Sequence, residues 1–555
     1  MNSCPYARIV MRPDAEEWPE ALRANRAGER FPPWLCAAAG GEAARRRSLS
    51  QAARQALLEA AIDYTGGLHA LAAARGVAIE PSAALASLAS SSATRAGDVA
   101  TPLILTGHQA VVFHPGLEWK YFATARFARA QRAISLAVVM DLDPGDAGAF
   151  LVPQPESTTP TTDDLPSLVT VEHSLSEAAS GLLAAARVAP RERIDELTQA
   201  VVGRLRSLQL SAAAERTTRV MQVYGQLAGL SLVESHAIAQ LAERRLHVEL
   251  LLPFSRMMRL APYRAAIGWL LEDASRLHAT YNRLLDGYRV EHGLRNHANP
   301  FPNLGQREDL RELPFWRVDH ASATRDAVWF RDTPDGPQFV AGGETLPRCG
   351  TGEGPAWLAT QLPASQQIVP RGALVSLLFR SVACDLFVHG TGGGTYDPFT
   401  DRLMAEYCGV EPARFSVASG TRHLFEGWPE RLASLDELAA QSRDVVHHPE
   451  RHFGRGWFAA EAEQRLRELT DRKQQVVAQL RTARQDGRPG AAMGRELETV
   501  AAEIRAVVDA QLASKLDMRL RISEATRAAL LERRWPWFYF PAIDADNASG
   551  AGTSG

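Results

Sequence analysis

The strongest constraint on the fold is a strand, loop, helix, strand order near the start of the chain that is echoed in its second half. PLILTG (102–107) is a short apolar run ending in glycine, and HQAVVFHPG (108–116) reads as a loop. LEWKYFATARFARAQ (117–131) reads as a helix with proline and glycine at its start, and ISLAVVMDLD (134–143) as a second buried strand. Strands joined in this way lie parallel and need a right-handed crossover. From Ile368 the order begins again. PRGALVSLLFRSVA (370–383) is helical, DLFVHG (385–390) a strand, TGGGTYD (391–397) a loop, PFTDRLMAEYCG (398–409) helical, and RFSVAS (414–419) a further strand. The two units predict an α/β fold, a Rossmann-like doubly wound parallel sheet with helical insertions.

Around this core the chain of 555 residues divides by pattern. Residues 1–100 form an N-terminal helical region packed on the core, with Leu57, Leu58, Ala61 and Ile62 on one face. Residues 101–174 and 366–455 hold the two halves of the core, and 175–365 a helical and irregular connection in which ELPFW and AVWFRD are candidate strands. In 456–532, Ala459, Ala462, Leu466, Leu469, Lys473, Val476, Leu480 and Ala483 alternate by three and four, GRPG breaks the run, and Leu497, Val500, Ile504 and Val507 mark a second helix. This predicts a C-terminal antiparallel coiled-coil hairpin. The tail RRWPWFYFP (533–541) is too aromatic to stay in water and is expected to dock on the core or on a partner subunit, with a frayed end beyond it.

Lys and Arg total 61 against 64 Asp and Glu, a formal charge of −3, which disfavours non-specific nucleic-acid binding. The five cysteines (Cys4, Cys36, Cys349, Cys384, Cys408) are scattered without a C-x-x-C, so neither a disulfide framework nor a structural zinc site is expected. The opening residues MNSCPYARIVMRPDAEEW do not read as a secretory signal, and no apolar stretch is long enough to span a bilayer. A cytoplasmic protein with no membrane partner is expected.

Three segments offer chemistry. Thr106-Gly107-His108-Gln109 and His114-Pro115-Gly116 lie where a strand ends and a helix begins, a place that favours anions, and Lys120 adds a charge one turn on. His108 and His114 are candidate catalytic groups there; turn shaping and backbone capping are the alternative. His389-Gly390-Thr391-Gly392-Gly393-Gly394-Thr395-Tyr396-Asp397 repeats the placement, its glycines permitting close backbone approach to a ligand. It matches neither the dinucleotide fingerprint nor a Walker loop. Asp141 and Asp143 close the second strand and suit an amine, a ribose or Mg²⁺, with helix capping and turn formation as equal alternatives. His447, His448 and His452 lack metal-ligand spacing, and Cys384 and Cys408 fall in packed elements.

The order of these motifs resembles the cysteine-adding enzyme family of bacillithiol biosynthesis (the BshC family). The likeness rests on TGHQAVVFHPGLEWKYF, then LLFRSVACDLFVHGTGGGTYD, then the helical hairpin. It implies a core related to nucleotidyltransferases, coiled-coil homodimerisation, and ATP-type ligase chemistry joining cysteine to a glucosaminyl-malate acceptor. His108 stands where the family has a glutamine, His114-Pro115-Gly116 replaces a Thr-Gly-Pro-like turn, Lys120 precedes the family's lysine by two places, and Tyr396-Asp397 follows the glycines, so a divergent member with another acceptor is implied.

The leading expectation is therefore a carbon–nitrogen ligase joining an amino acid, such as cysteine, to a small sugar-linked or anionic carboxylate acceptor. In it His108 and His114 steady departing charge, Asp143 or Asp397 receives the amine, Arg380 forks a carboxylate, and Gly107, Gly116 and Gly390 to Gly394 meet an ATP-type nucleotide, with Mg²⁺ an open question. The alternatives are a non-catalytic scaffold acting through its coiled coil and a nucleotidyltransferase acting on another small acid. All versions require that the bends at His108 and Gly392 converge on one hollow.

Overall fold

Leu103, Ile104 and Leu105 are fully buried because the sheet they enter is covered on both faces. In the computed structural model, which describes residues 8–28, 43–90, 101–156, 167–177, 181–296, 298–350 and 353–543, the strands run in chain order. They are β1 (Arg8–Arg12), β2 (Leu103–Gln109), β3 (Ile134–Met140), β4 (Ala149–Pro155), β5 (Leu168–Ser174), β6 (Leu250–Pro253) and β7 (Gln306–Arg307). There follow β8 (Leu310–Asp319), β9 (Thr324–Thr333), β10 (Gly336–Ala341), β11 (Glu344–Arg348), β12 (Gln366–Pro370), β13 (Leu386–His389) and β14 (Phe415–Thr421). The fold is mixed α/β.

The central sheet has the order β1-β14-β13-β2-β3-β6. All its pairings are parallel except that of β1 with β14, which is antiparallel. Counted along the chain, the parallel strands read 3-2-1-4-5 across the sheet, so the winding reverses between β2 and β13. β6 comes from the middle of the segment read as a helical connection. Its four residues LLLP show no alternation, because a strand buried on both faces has none to show.

One face of this sheet presents Ile104, Leu386, Val388 and Ala418 to the helices Trp18–Ala27 and Pro115–Ala130. At the β6 edge Thr65 of the helix Ala43–Ala74 accepts from the Leu251 N–H at 2.9 Å, and on the other face Phe387 packs 5.3 Å from Phe379. Asp385, just before β13, accepts from Arg54 Nη1 at 2.9 Å and from the Leu103 N–H at 2.8 Å, so one buried carboxylate starts β2 and anchors the long helix.

A second sheet, β11-β10-β9-β8-β12, is antiparallel throughout, with β7 added beside β8. ELPFW and AVWFRD lie in its neighbouring strands β8 and β9. β4 and β5 form a separate two-stranded sheet.

The chain divides into two compact units, Met1–Val152 with Glu172–Arg422 and Arg533–Gly555, and Pro153–Val171 with His423–Glu532. The aromatic tail belongs to the first, where Trp535, Trp537, Phe538 and Tyr539 are buried. Its backbone is strapped down by arginines. Arg245 donates to the Phe540 and Pro541 carbonyls, Arg216 to Tyr539 and Arg422 to Pro541, while the Trp537 N–H donates to Phe113 O at 2.8 Å. The tail thus docks on its own chain; the end read as frayed lies outside the described residues.

In the second unit the helices Ala460–Gln485 and Ala491–Arg521 run antiparallel, with Arg465 on Glu503 and Arg472 on Glu496. The expected seam residues Leu466, Leu469, Val476, Ala483, Val500 and Ile504 are buried. The helix Trp428–His447, which the sequence reading placed in the second half of the sheet domain, adds Leu438 and Val445 to the same core. Three helices rather than two share it, which is why the second helix buries Val508 and Leu512 as well.

No described helix is long and apolar enough to cross a membrane. Cys349, Cys384 and Cys408 are buried, while Cys4 and Cys36 lie outside the described residues. Replacing Asp385 by Ala would leave the Arg54 guanidinium buried without its partner, and the expected cost is about 3–5 kcal/mol. Urea unfolding measures it; a loss below about 1 kcal/mol would show that Arg54 is not held in place by Asp385.

Candidate functional site

In a sheet of this order, the crevice beyond the carboxyl ends of the strands at the reversal is where a ligand is best received, because backbone groups there are left without ladder partners. A cavity of about 460 Å³ opens at this point, lined by Gly107 at the end of β2, Met140 at the end of β3 and His389 at the end of β13. Gly393, Tyr396, Asp397 and Asp143 line it too. The two bends therefore meet, though through Gly107 and Gly393; His108 and Gly392 are not among the lining residues.

His389 is the last residue of β13, buried, with Phe387 edge-on at 4.4 Å and Phe415 at 5.3 Å. Its Nε2 lies 2.8 Å from Asp397 Oδ2, and Arg380 Nη1 donates to the same oxygen at 2.7 Å. Burial would raise the Asp397 pKa, but Arg380 and His389 outweigh it and hold the carboxyl well below the usual carboxylate range. An ionised Asp397 can only accept, so Nε2 carries a proton and, in the neutral form of the imidazole, the lone pair is on Nδ1. That atom has no hydrogen-bond partner among the described residues. It lies against Gly393, where a Cβ would collide with it.

The glycine run thus has a role other than a loop. Residues 391–397 open the helix Thr391–Arg402, with Gly390 before its first turn. Gly393 admits His389, and a Cβ on Gly394 would strike Val417 of β14, so the absent side chains let this helix close onto the sheet. Thr391, Gly392 and Thr395 face outward from that contact, and the Thr395 hydroxyl returns to the Thr391 carbonyl at 2.9 Å. Arg380, expected to fork a substrate, is fully occupied internally by Asp397, Asp401 and the Ala413 carbonyl. It comes from a wide π turn, Phe379–Ala383, that swings it beneath Asp397.

The first segment is also rearranged. Thr106 through Gln109 continue β2 rather than leaving it, because they pair residue by residue with Ala137 to Met140 of β3. The Thr106 hydroxyl donates to Val388 O at 2.8 Å, joining β2 to β13. His108 faces Phe113, its Nδ1 3.2 Å from the Gln109 carbonyl, and burial together with Lys120 lowers its pKa to about 3. His114 caps the helix Pro115–Ala130, Nδ1 accepting from the Gly116 N–H at 3.1 Å, and Gly116 is needed because a Cβ would strike the Gly420 carbonyl. Capping, the alternative weighed for the histidines, is what His114 does.

Asp141 behaves likewise. Its carboxylate accepts from the Ser255 N–H at 2.9 Å and from the Ser255 hydroxyl, and burial lifts its pKa to about 6. Asp143 does reach the cavity, where Arg325 Nη1 donates to Oδ1 at 2.8 Å and Gln109 Nε2 to Oδ2 at 2.9 Å.

The second sheet supplies residues that the sequence reading missed. Trp316 pairs with Ala327 and Val369, so Arg325, two places before Ala327 in β9, and Arg371, two places after Val369 and just past the end of β12, fall on the same face as the indole. The guanidinium of Arg325 lies 4.6 Å from the Trp316 ring centroid and that of Arg371 4.3 Å, and all three line the cavity. Arg371 pairs with Glu312. Nε and Nη2 of Arg325, and Nε and Nη1 of Arg371, have no acceptor among the described residues. The sequence marked ELPFW and AVWFRD only as candidate strands, and a strand cannot give a face until its register is known.

No family model, curated protein or solved structure matches this chain. Among the described residues no group of three or more histidine, cysteine, aspartate or glutamate side chains could hold a metal ion. His448 and His452 instead pair with Glu450 and Asp444.

Lys120 is buried beneath β2, its Nζ donating to the Gly107 carbonyl at 2.5 Å, and burial lowers its pKa to about 7. Above that pH the folded chain has released a proton that the unfolded chain keeps until about 10.4, so stability should rise with pH across this window. Chemical denaturation of the wild type and of Lys120→Met between about pH 7 and pH 9 tests this: the variant should lose the slope, and an equal slope in both would refute it.

Proposed function

We propose that the chain is a small-molecule enzyme whose reaction centre is the array Arg380–Asp397–His389, and that its reaction is a ligase-type condensation forming a carbon–nitrogen bond. The observation that carries this is a histidine lining the cavity at the strand-order reversal, oriented through Nε2 by a buried, cation-held carboxylate and with no hydrogen-bond partner on Nδ1 among the described residues. On this reading the core is Rossmann-like, and the long helices form a coiled-coil hairpin that joins a cytoplasmic homodimer. The chain would be a divergent relative of the cysteine-adding family, joining an amino acid such as cysteine to a small anionic acceptor; the motif order supports that kinship.

The residues assign the steps as follows. Arg325 and Arg371 hold the anionic group through their unoccupied N–H donors. As an amine attacks the carbonyl carbon of an acyl donor that arrives already activated, an acyl phosphate or a thioester, the new C–N bond forms and His389 Nδ1 takes the amine proton; the same proton leaves with the phosphate or thiol as its bond to that carbon breaks. Arg380 keeps Asp397 charged throughout, which stabilises the imidazolium. These are roles the sequence reading had given to His108 and His114.

A Mg²⁺-held nucleotide does not fit the side chains present: of the cavity's carboxylates, Asp143 is paired with Arg325 and Asp397 with Arg380. No step above passes through one.

The test is condensation followed by mass spectrometry with cysteine and glucosaminyl-malate, with ATP present or omitted, beside melting curves for each compound. His389→Ala should lower the rate by about 100-fold or more in a variant that still unfolds cooperatively. A variant as fast as the wild type would remove His389 from the mechanism.

A further inference from the structure

The surface around His389 is made of rings. Phe387 stands 4.4 Å from the imidazole, Phe379 5.3 Å from Phe387, and Phe254 6.1 Å from Phe379, while Phe301 lies 5.9 Å from Tyr396. All of these line the cavity, with Met140, Leu142 and Val369 among them. The unoccupied cationic donors, by contrast, belong to the second sheet, at Arg325 and Arg371 on either side of Trp316 in the row. The open anion-binding groups thus come from the second sheet and its flank, whereas most of the apolar rings come from β13 and the helices and loops around it.

A polyhydroxylated ligand entering such a space would lose water from every hydroxyl that meets a ring, at a cost of about 1–3 kcal/mol for each one left without a partner. An aryl or alkyl body gains instead by burial, about 25 cal/mol per Å² of apolar surface. We infer that the ligand of this cavity is an aryl- or alkyl-carboxylate, its carboxylate on Arg371 and Arg325 and its apolar body against Phe301, Phe379 and Phe387, rather than a sugar-linked acid. This deepens the proposed function and rests on its choice of cavity, but it replaces the sugar-linked acceptor that the sequence resemblance implied.

Calorimetric titration of the full chain with 3-phenylpropanoate, 3-phenylpropanol and glucuronate separates the contributions. The first should bind with a negative heat-capacity change, the marker of apolar burial, and the other two at least about tenfold more weakly. Arg371→Gln should cost the carboxylate ligand about tenfold and leave the alcohol unchanged. Should that variant fail to fold, the comparison of acid with alcohol on the wild type carries the same information. Glucuronate binding as tightly as phenylpropanoate, or phenylpropanoate not binding, overturns the inference.

The two readings fail separately. Binding of phenylpropanoate that survives His389→Ala, with no condensation of any amine, would retire the proposed reaction and keep this ligand class. Condensation of a sugar-linked acid without phenylpropanoate binding would do the reverse.

Discussion

The site depends on one buried oxygen. Asp397 Oδ2 receives Arg380 from below and His389 from the side, and each partner solves a problem for the others. A lone carboxylate here would be protonated by burial, and a lone guanidinium would be unsatisfied. Together they satisfy one another's buried polar groups, and they fix Nε2 as the imidazole nitrogen that donates to Asp397. The glycines at 393 and 394 follow from this, since only a helix without side chains there can approach β13 and β14 closely enough to deliver Asp397.

The second wall follows another rule. Strand alternation places every second residue on one face, and the antiparallel register of β8 with β9 and β12 brings Arg325, Trp316 and Arg371 into a row. Stacking on the indole fixes the planes of both guanidiniums while part of each donor set stays open. Asp143 ties this row to the end of β3, so the parallel and the antiparallel sheet share one cavity.

Short apolar runs bounded by turn residues, and helices with a repeat, were legible in the sequence: β2, β3, β13, β14, β8, β9 and the long helices fall within a few residues of where pattern placed them. β6 was not, because its four apolar residues follow His247-Val248-Glu249 with no glycine or other turn residue to set them off. HQAVVFHPG and TGGGTYD were read as loops on composition. In the first case ladder pairing with β3 continues the strand, and in the second the packing of a glycine-rich turn against His389 and Val417 sustains a helix that propensity disfavours.

By itself the sequence determined the class of the chain and the neighbourhood of its site, since strand, helix and strand in that order, with glycine at the bends, allow few topologies. It could not decide which polar residues are occupied. His114, Asp141 and Arg380 are spent on capping and internal charge pairing, while Arg325, Trp316 and Arg371, which no motif marks, face the cavity. That decision belongs to tertiary structure because a hydrogen-bonding group is free or engaged according to its neighbours in space, and those neighbours come from strands far apart along the chain.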